Sequence, residues 1–174
     1  MTADLIIVFG VSGAGKTTIC TRFAARNPSF LHITASSLLD QHTSDRPRDV
    51  LAVQAEIVSR VRSLRLTEAR RIILDGHCVI RSQGSLFRVP SSLVSELRPS
   101  MIVLIDSDPE FIAARRASRK DRRSEMSLDK VAEELDAARE ACLSYRKELR
   151  VPLRVLAADQ PNIAEKFGRL LSQV

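Results

Sequence analysis

The sequence predicts an α/β fold in which a five-stranded parallel sheet is covered by helices on both faces. Five short apolar runs alternate along the 174 residues with longer segments of helical periodicity. These runs are continuously apolar rather than alternating, which is typical of strands buried on both faces. Such alternation of strand and helix patterns favours parallel strands joined by right-handed crossovers. The length suits one domain, so we expect residues 1–174 to share one core.

The predicted elements follow the order β-α-β-α-β-α-β-α-α-β-α. Strands are expected at residues 5–9, 30–33, 72–74, 101–105 and, more weakly, 153–156. Helical periodicity marks residues 16–25, 48–66 and 128–149, the last of these behind Ser127 as N-cap. Pro109 and Pro161 are each placed for the first turn of a further helix, with Asp108 as the cap of the first one. Residues 44–49 and 82–90 are predicted to be surface loops.

A glycine-rich motif lies between the first predicted strand and the first predicted helix. Residues 10–17 read GVSGAGKT and match GxxxxGK[ST] in full, in the context that this motif requires. Its glycines allow backbone N–H groups to turn toward phosphate oxygens, and the helix N-terminus favours anions. Lys16 is expected to reach the β- and γ-phosphates, and the Thr17 hydroxyl is expected to ligate Mg²⁺. The sequence therefore predicts a site for ATP and Mg²⁺.

The second anchor for Mg²⁺ is expected at the end of a neighbouring strand. Asp75 ends the third predicted strand, and Asp106 ends the fourth. Ligands of open α/β sheets bind at the carboxyl ends of the strands, so either carboxylate is placed to face the site. We favour Asp75, holding Mg²⁺ through water, whereas an ordinary turn or cap role is the stronger alternative for Asp106.

Most of the net charge of +6 falls in one short segment. Six basic residues stand against the single acid Asp121 within residues 115–123, which gives this segment a net charge of +5. They are Arg115, Arg116, Arg119, Lys120, Arg122 and Arg123. Such a cluster suits phosphoryl transfer, whose transition state spreads negative charge, and a closing segment brings the cluster in. A solvated helix face or a nucleic-acid patch is the alternative.

Composition excludes several other classes of protein. Six Phe, one Tyr and no Trp argue against a platform on which single-stranded bases stack. No apolar stretch approaches the roughly 18 residues of a membrane-spanning helix, so we expect no membrane partner. Cys20, Cys78 and Cys142 form no CxxC, which argues against a disulfide framework or a zinc site and favours a cytoplasmic location.

The chain resembles the nucleoside monophosphate kinases, and most of all the adenylate kinases of archaeal type. The resemblance rests on the glycine-rich loop, on the segment 73–81 (ILDGHCVIR), on the turn 105–109 (IDSDP), and on Arg139 in the helix after the basic cluster. It implies a three-layer phosphate-loop kinase fold with an acceptor-binding segment at about 34–70, shorter than is usual in that family, and an arginine-rich lid at about 115–127. It also implies transfer of the γ-phosphoryl of ATP to a nucleoside monophosphate, with AMP as the first candidate for the acceptor.

The resemblance assigns a role to each group of candidate residues. The donor triphosphate would be held by Gly10, Ser12, Gly13, Ala14, Gly15, Lys16, Thr17 and Thr18. Near the donor base and phosphates it places Arg115 and Arg119. The transferred phosphoryl would be clamped by Lys16, Arg119, Arg122, Arg123 and Arg139. The acceptor monophosphate would face His77 and Arg81, the latter in a bidentate way, with Ser36, Arg46 and Gln54 in the acceptor-binding region.

Two other functions stay open at this point. Residues 10–16 are similar to the loop of gluconate kinases, and shikimate kinases are of comparable length, so a hydroxyl compound is a possible acceptor. Such an acceptor needs a general base, for which Asp40 is the candidate. A nucleotide-dependent ATPase or a nucleic-acid-associated protein is the third hypothesis, with the basic cluster binding phosphates of the backbone. The scarcity of aromatic residues ranks it last.

Overall fold

The computed structural model describes residues 2–39, 49–82, 84–118 and 127–172. Its main sheet consists of the strands β1 (Leu5–Phe9), β2 (Phe30–Thr34), β3 (Arg71–Asp75), β6 (Met101–Asp106) and β7 (Leu153–Ala157). They lie in the order β2-β3-β1-β6-β7, and every neighbouring pair is parallel. The expected five-stranded parallel sheet is therefore confirmed.

The central strand β1 is the most deeply buried part of the sheet. Leu5, Ile6, Ile7 and Val8 are completely inaccessible to solvent. In the register, Ile6 lies beside Ile73 on one side and beside Met101 on the other. Burial of each such side chain contributes about 1.5–3 kcal/mol relative to exposure. The chain that follows β1 is thus held from both sides at its exit from the sheet.

The helices form two groups, as the sequence predicts for a sheet covered on both faces. They are α1 (Lys16–Arg26), α2 (Val50–Thr67), α3 (Ser91–Glu96), α4 (Pro109–Ala117), α5 (Leu128–Leu149) and α6 (Ile163–Leu171). One group is α1 with α6, where the rings of Phe23 and Phe167 meet edge-on at 5.5 Å. The other joins α2, α3, α5 and α4, and the Tyr145 ring of α5 lies 5.8 Å from Phe9 of β1.

The helices begin close to the positions that the sequence predicts, but two of the predicted caps make no side-chain capping hydrogen bond. Asp108 and Ser127 are the N-cap residues of α4 and α5, yet neither side chain makes a capping hydrogen bond. The last helix begins at Ile163, two residues after Pro161, because Asn162 adopts a left-handed conformation before it. None of the described helices is both long enough and apolar enough to span a bilayer.

The prediction of a surface loop at residues 82–90 is wrong. The structure has an antiparallel hairpin here, β4 (Val79–Ser82) with β5 (Ser85–Arg88). Gly84, whose φ of +82° suits glycine, lies at the turn, and Ser82 pairs with Ser85. The hairpin packs on α5, where the Tyr145 hydroxyl donates to the carbonyl after β5, that of Val89. The other predicted loop, 44–49, lies outside the described residues except for its last position.

Candidate active site

The glycine-rich loop joins β1 to α1 and packs tightly on β6. Gly13 and Gly15 have φ angles of +89° and +88°, a conformation that side chains disfavour. At Gly10, a Cβ would lie 2.7 Å from the carbonyl oxygen of Ile105, which is closer than such atoms approach. Gly15 is also the N-cap of α1 and has no side chain to cap its first N–H groups. These features fit a backbone cradle for phosphate oxygens.

Lys16 lies inside this loop rather than in bulk solvent. The residue is 5% exposed, and its ammonium donates to the carbonyl of Val11 at 3.1 Å. A buried ammonium beside a loop of inward-turned N–H groups attracts an anion strongly, because little water screens it. The position fits the expected contact with the β- and γ-phosphates.

Asp75 is brought to the Thr17 hydroxyl, which donates to its Oδ2 atom. Burial of this side chain, which is 3% exposed, would by itself raise the pKa of the carboxyl, but His32, Thr17 and Lys16 together hold that pKa below its ordinary value. The carboxylate is therefore ionised at neutral pH. A hydroxyl beside an ionised carboxylate would supply oxygen ligands of the kind that Mg²⁺ prefers. Thr17 and Asp75 fit Mg²⁺ in this sense.

Asp106 serves a different partner. Its Oδ2 atom accepts from Nε of Arg139 at 2.9 Å, and a second nitrogen of the same guanidinium donates to Asp136 at 2.7 Å. Its Oδ1 atom is buried and has no hydrogen-bond partner among the described residues. The structure thus brings Asp75, and not Asp106, to the threonine of the loop. It also holds Arg139 between two carboxylates, those of Asp106 and Asp136.

His77 contacts the phosphate loop directly. Its Nδ1–H donates to the carbonyl of Gly10 at 2.9 Å, since a carbonyl can only accept. Crowding by protein atoms, together with the Lys16 ammonium, lowers the pKa of the imidazole to about 4. The ring is therefore neutral at pH 7, and its Nε2 atom is an acceptor. His77 as a whole residue is exposed, at the point where the segment after β3 meets the loop.

Arg81 lies on the hairpin strand β4 and is bound by two carboxylates. Its Nε donates to Glu134 at 3.0 Å, and one of its terminal nitrogens donates to Glu133 at 2.7 Å. Glu133 and Glu134 together raise the pKa of the guanidinium further. Glu133 is 58% exposed as a side chain, whereas Glu134 is 11% exposed. An anionic acceptor at Arg81 would therefore compete with Glu133 more easily than with Glu134.

Two arginines of α4 reach the loop. The Arg115 guanidinium lies 3.3 Å from where a Cβ on Gly15 would sit, and it covers the Phe111 ring at 5.4 Å. Arg116 is 7% exposed and donates from Nε to the Ser12 carbonyl at 2.9 Å. Sequence reasoning counted Arg116 in the basic cluster but gave it no individual role at the site. Its spacing of four residues from the fully buried Ile112, on the same face of α4, is the signal that would have found it.

The remaining predicted site residues differ in where the structure places them. Gln54 of α2 and His77 line one small, mostly apolar cavity of about 30 Å³, so the structure brings them together. Ser36 lies in a single 3₁₀ turn after β2, is exposed, and bonds to Thr34 at 3.4 Å. Ala14 is buried in the loop, whereas Ser12 and Thr18 are exposed at it. Outside the described residues lie Asp40, Arg46, Arg119, Arg122 and Arg123.

The parallel sheet and the loop at the end of β1 define a phosphate-loop protein with the α/β fold of small kinases. The family model described as an AAA domain matches residues 9–134, which is more than half of the chain. The chain therefore belongs to this family.

Comparisons with whole proteins agree with the expected resemblance. The chain is 29% identical to the adenylate kinase of Methanopyrus kandleri, covering 68% of this chain and 69% of that protein. It is 27% identical to the adenylate kinase of Methanothermobacter thermautotrophicus (81% and 83% covered) and 26% identical to that of Pyrococcus abyssi (87% and 85%). These similarities support a phosphate-loop kinase.

A solved structure supports the fold independently. The unliganded crystal structure of a sugar kinase from Janibacter sp. HTCC2649 superposes with a TM-score of 0.62, covering 98% of this chain and 93% of that one. At 18% sequence identity this likeness shows the fold alone.

Proposed function

We propose that the protein transfers the γ-phosphoryl of ATP to a nucleoside monophosphate, with AMP as the first candidate acceptor. The observation that carries the proposal is the 2.9 Å contact between His77 and the carbonyl of Gly10. It joins the segment 73–81, which resembles the acceptor side of archaeal adenylate kinases, to the loop that would hold the donor. The 25–29% identity to several such kinases supports the same acceptor class.

The donor half of the proposed site is the loop with its two ligating oxygens. The loop N–H groups and Lys16 would hold the triphosphate, and Thr17 with Asp75 would hold Mg²⁺, the latter through water. When bound, Mg²⁺ neutralises charge on the β- and γ-phosphates. Arg115, stacked on Phe111 at the edge of the loop, is placed for the donor nucleotide. Lys16 and Arg115 therefore position the phosphoryl group without any covalent intermediate.

The acceptor half lies between the hairpin and α2. Arg81 would bind the acceptor phosphate in a bidentate way after exchanging Glu133 for it. The Nε2 atom of His77, a hydrogen-bond acceptor, would face the nucleoside monophosphate. Gln54 lines the same small cavity as His77. The roles of Ser36 and Arg46 in this half stay predictions.

The proposed role of the lid rests on sequence. Arg119, Arg122 and Arg123 are expected to clamp the transferred phosphoryl, and Arg139 would join them after leaving Asp106 or Asp136. Such positioned guanidiniums stabilise the charge that develops in the transition state. The cytoplasmic location also stays a prediction.

One observation favours a second candidate, a kinase with a hydroxyl acceptor. Arg81 is already neutralised by Glu133 and Glu134, which leaves less positive charge for an acceptor phosphate. Asp40 is the candidate base for a hydroxyl acceptor. Asp40→Asn would abolish activity toward a hydroxyl acceptor but not toward AMP.

The test is a coupled phosphotransfer assay with a panel of acceptors. AMP, CMP, GMP and UMP are compared with gluconate and shikimate, with Lys16→Met as the inactive control. Turnover on AMP with a coupled release of ADP supports the proposal. A folded protein that binds ATP but phosphorylates none of the monophosphates contradicts it, and turnover on a hydroxyl acid selects the second candidate. Binding of the protein to nucleic acid that weakens steeply with salt would favour the third hypothesis.

A further inference from the structure

One buried carboxylate joins the two halves of the site. Glu134 of α5 is 9% exposed as a residue and uses both of its oxygens. Its Oε1 atom accepts from Nε of Arg81 at 3.0 Å, and its Oε2 atom accepts from Arg116 at 2.7 Å. Arg116 in turn donates to the Ser12 carbonyl of the phosphate loop at 2.9 Å. The chain of contacts therefore runs from the hairpin to the loop through one side chain.

The neighbouring carboxylate has a different character. Glu133 contacts Arg81 through a terminal nitrogen, and its side chain is 58% exposed. An exposed ion pair is weakly held, because water competes with it. A pair between two buried partners, such as Glu134 and Arg116, is strongly coupled, since removal of one leaves the other charge without compensation. The other contacts of the Arg81 terminal nitrogens are long, at 3.3 Å to the Gly84 carbonyl and 3.4 Å to the Lys130 carbonyl. Arg81 can therefore turn these nitrogens to a ligand while its Nε stays on Glu134.

We propose that Glu134 is a positioning residue for phosphoryl transfer, which fixes the acceptor-side guanidinium of Arg81 relative to the donor-side phosphate loop through Arg116. The inference rests on the proposed function for the role of Arg81, whereas the link to the loop is independent of the acceptor. Glu134 touches neither nucleotide. Through the two arginines it sets the distance between the two phosphate groups that must react in line. Misplacement by about 1 Å in such a site lowers the rate by about 100-fold.

The test variant is Glu134→Gln, which keeps the shape of the side chain but cannot accept equally from two guanidiniums. The matched control is Glu140→Gln, because Glu140 is exposed and ties the same hairpin to the same helix through Arg88 at 2.7 Å, away from the loop. We expect kcat to fall about 10- to 100-fold in Glu134→Gln with a smaller rise in KM for the acceptor. Glu140→Gln should stay within about twofold of the wild type.

A merely structural role would give a different result. The rates are referred to the concentration of folded protein, measured by circular dichroism and thermal unfolding at the assay temperature. A folded Glu134→Gln protein with wild-type kcat and KM overturns the proposal. If this variant does not fold, Glu134→Asp decides, because it keeps the negative charge between the guanidiniums but shortens the reach by one methylene. Reduced kcat in folded Glu134→Asp supports the proposal, and wild-type kcat overturns it.

The outcome is also distinguishable from failure of the proposed function. If the wild type phosphorylates no monophosphate, the proposed acceptor is wrong. Titration of the variants with ATP then tests whether Glu134 holds the phosphate loop through Arg116. Weaker ATP binding in Glu134→Gln than in Glu140→Gln supports the positioning role, since the loop is held through Arg116. Equal ATP binding in the two variants and the wild type overturns it.

Discussion

Gly10→Ala places an atom where β6 already has one. The new Cβ would lie 2.7 Å from the carbonyl oxygen of Ile105, against the 3.4 Å at which ordinary contact begins, so loop and strand must separate by about 0.7 Å. Overpacking of this kind costs about 1–3 kcal/mol of unfolding free energy. A shift approaching 1 Å in a loop that positions phosphates costs up to about 100-fold in kcat/KM.

The assay pairs urea unfolding with titration of ATP, and the control is Gly168→Ala. In α6, a Cβ on Gly168 would meet only the Phe23 ring at 3.8 Å, an ordinary contact. Alanine within a helix is favoured over glycine by about 0.5–1 kcal/mol, so this variant should gain stability and keep its ATP affinity. We expect Gly10→Ala to lose both. A Gly10→Ala protein with wild-type affinity for ATP would refute the packing of the loop on β6.

Three further predictions concern the charges of the site. Asp75→Asn removes the carboxylate beside Thr17 and should lower Mg²⁺-dependent turnover by about 100-fold, with higher Mg²⁺ recovering part of it. Glu133→Gln removes the exposed competitor at Arg81, so KM for a monophosphate should fall about twofold, as for an exposed ion pair of about 0.5 kcal/mol. His77 should titrate by NMR with a pKa of about 4. Because its pKa is lower in the folded than in the unfolded state, the unfolded chain binds the proton first, and stability should fall as the pH drops from about 6.5 toward 4.

The sheet and the loop were predictable because their signals are local. Residues 5–9 are a continuous apolar run, and GVSGAGKT follows directly, so order and spacing alone fix the strand, the turn and the helix start. Asp75 was predictable for a similar reason, since the carboxyl ends of parallel strands share one edge. The sequence does not predict the hairpin β4–β5, because its strands contain polar residues and lack a continuous apolar run. Their pairing depends on packing against α5, through Tyr145 and Glu140.

The charge network was not predictable from the sequence. Glu134 lies three residues after the buried Val131 and four before the buried Ala138, so helical periodicity predicts that Glu134 is buried and Glu133 is not. Its partners depend on packing, because it contacts Arg81 across 53 residues and Arg116 across 18. Arg116 is one of six basic residues in a run, and only its position on the buried face of α4 separates it from Arg115. Local patterns give the sign of such charges, whereas three-dimensional packing decides which of them pair and which face a ligand.

The most direct test of the account follows the γ-phosphoryl itself. ATP labelled at the γ-phosphate is mixed with AMP, Mg²⁺ and the protein, and the products are separated. The account predicts that the label appears in the β-phosphate of ADP, that two ADP form per AMP consumed, and that Lys16→Met abolishes the transfer. Label found only in inorganic phosphate, or only on a hydroxyl compound offered in competition, would contradict a site that joins the phosphate loop to a monophosphate acceptor.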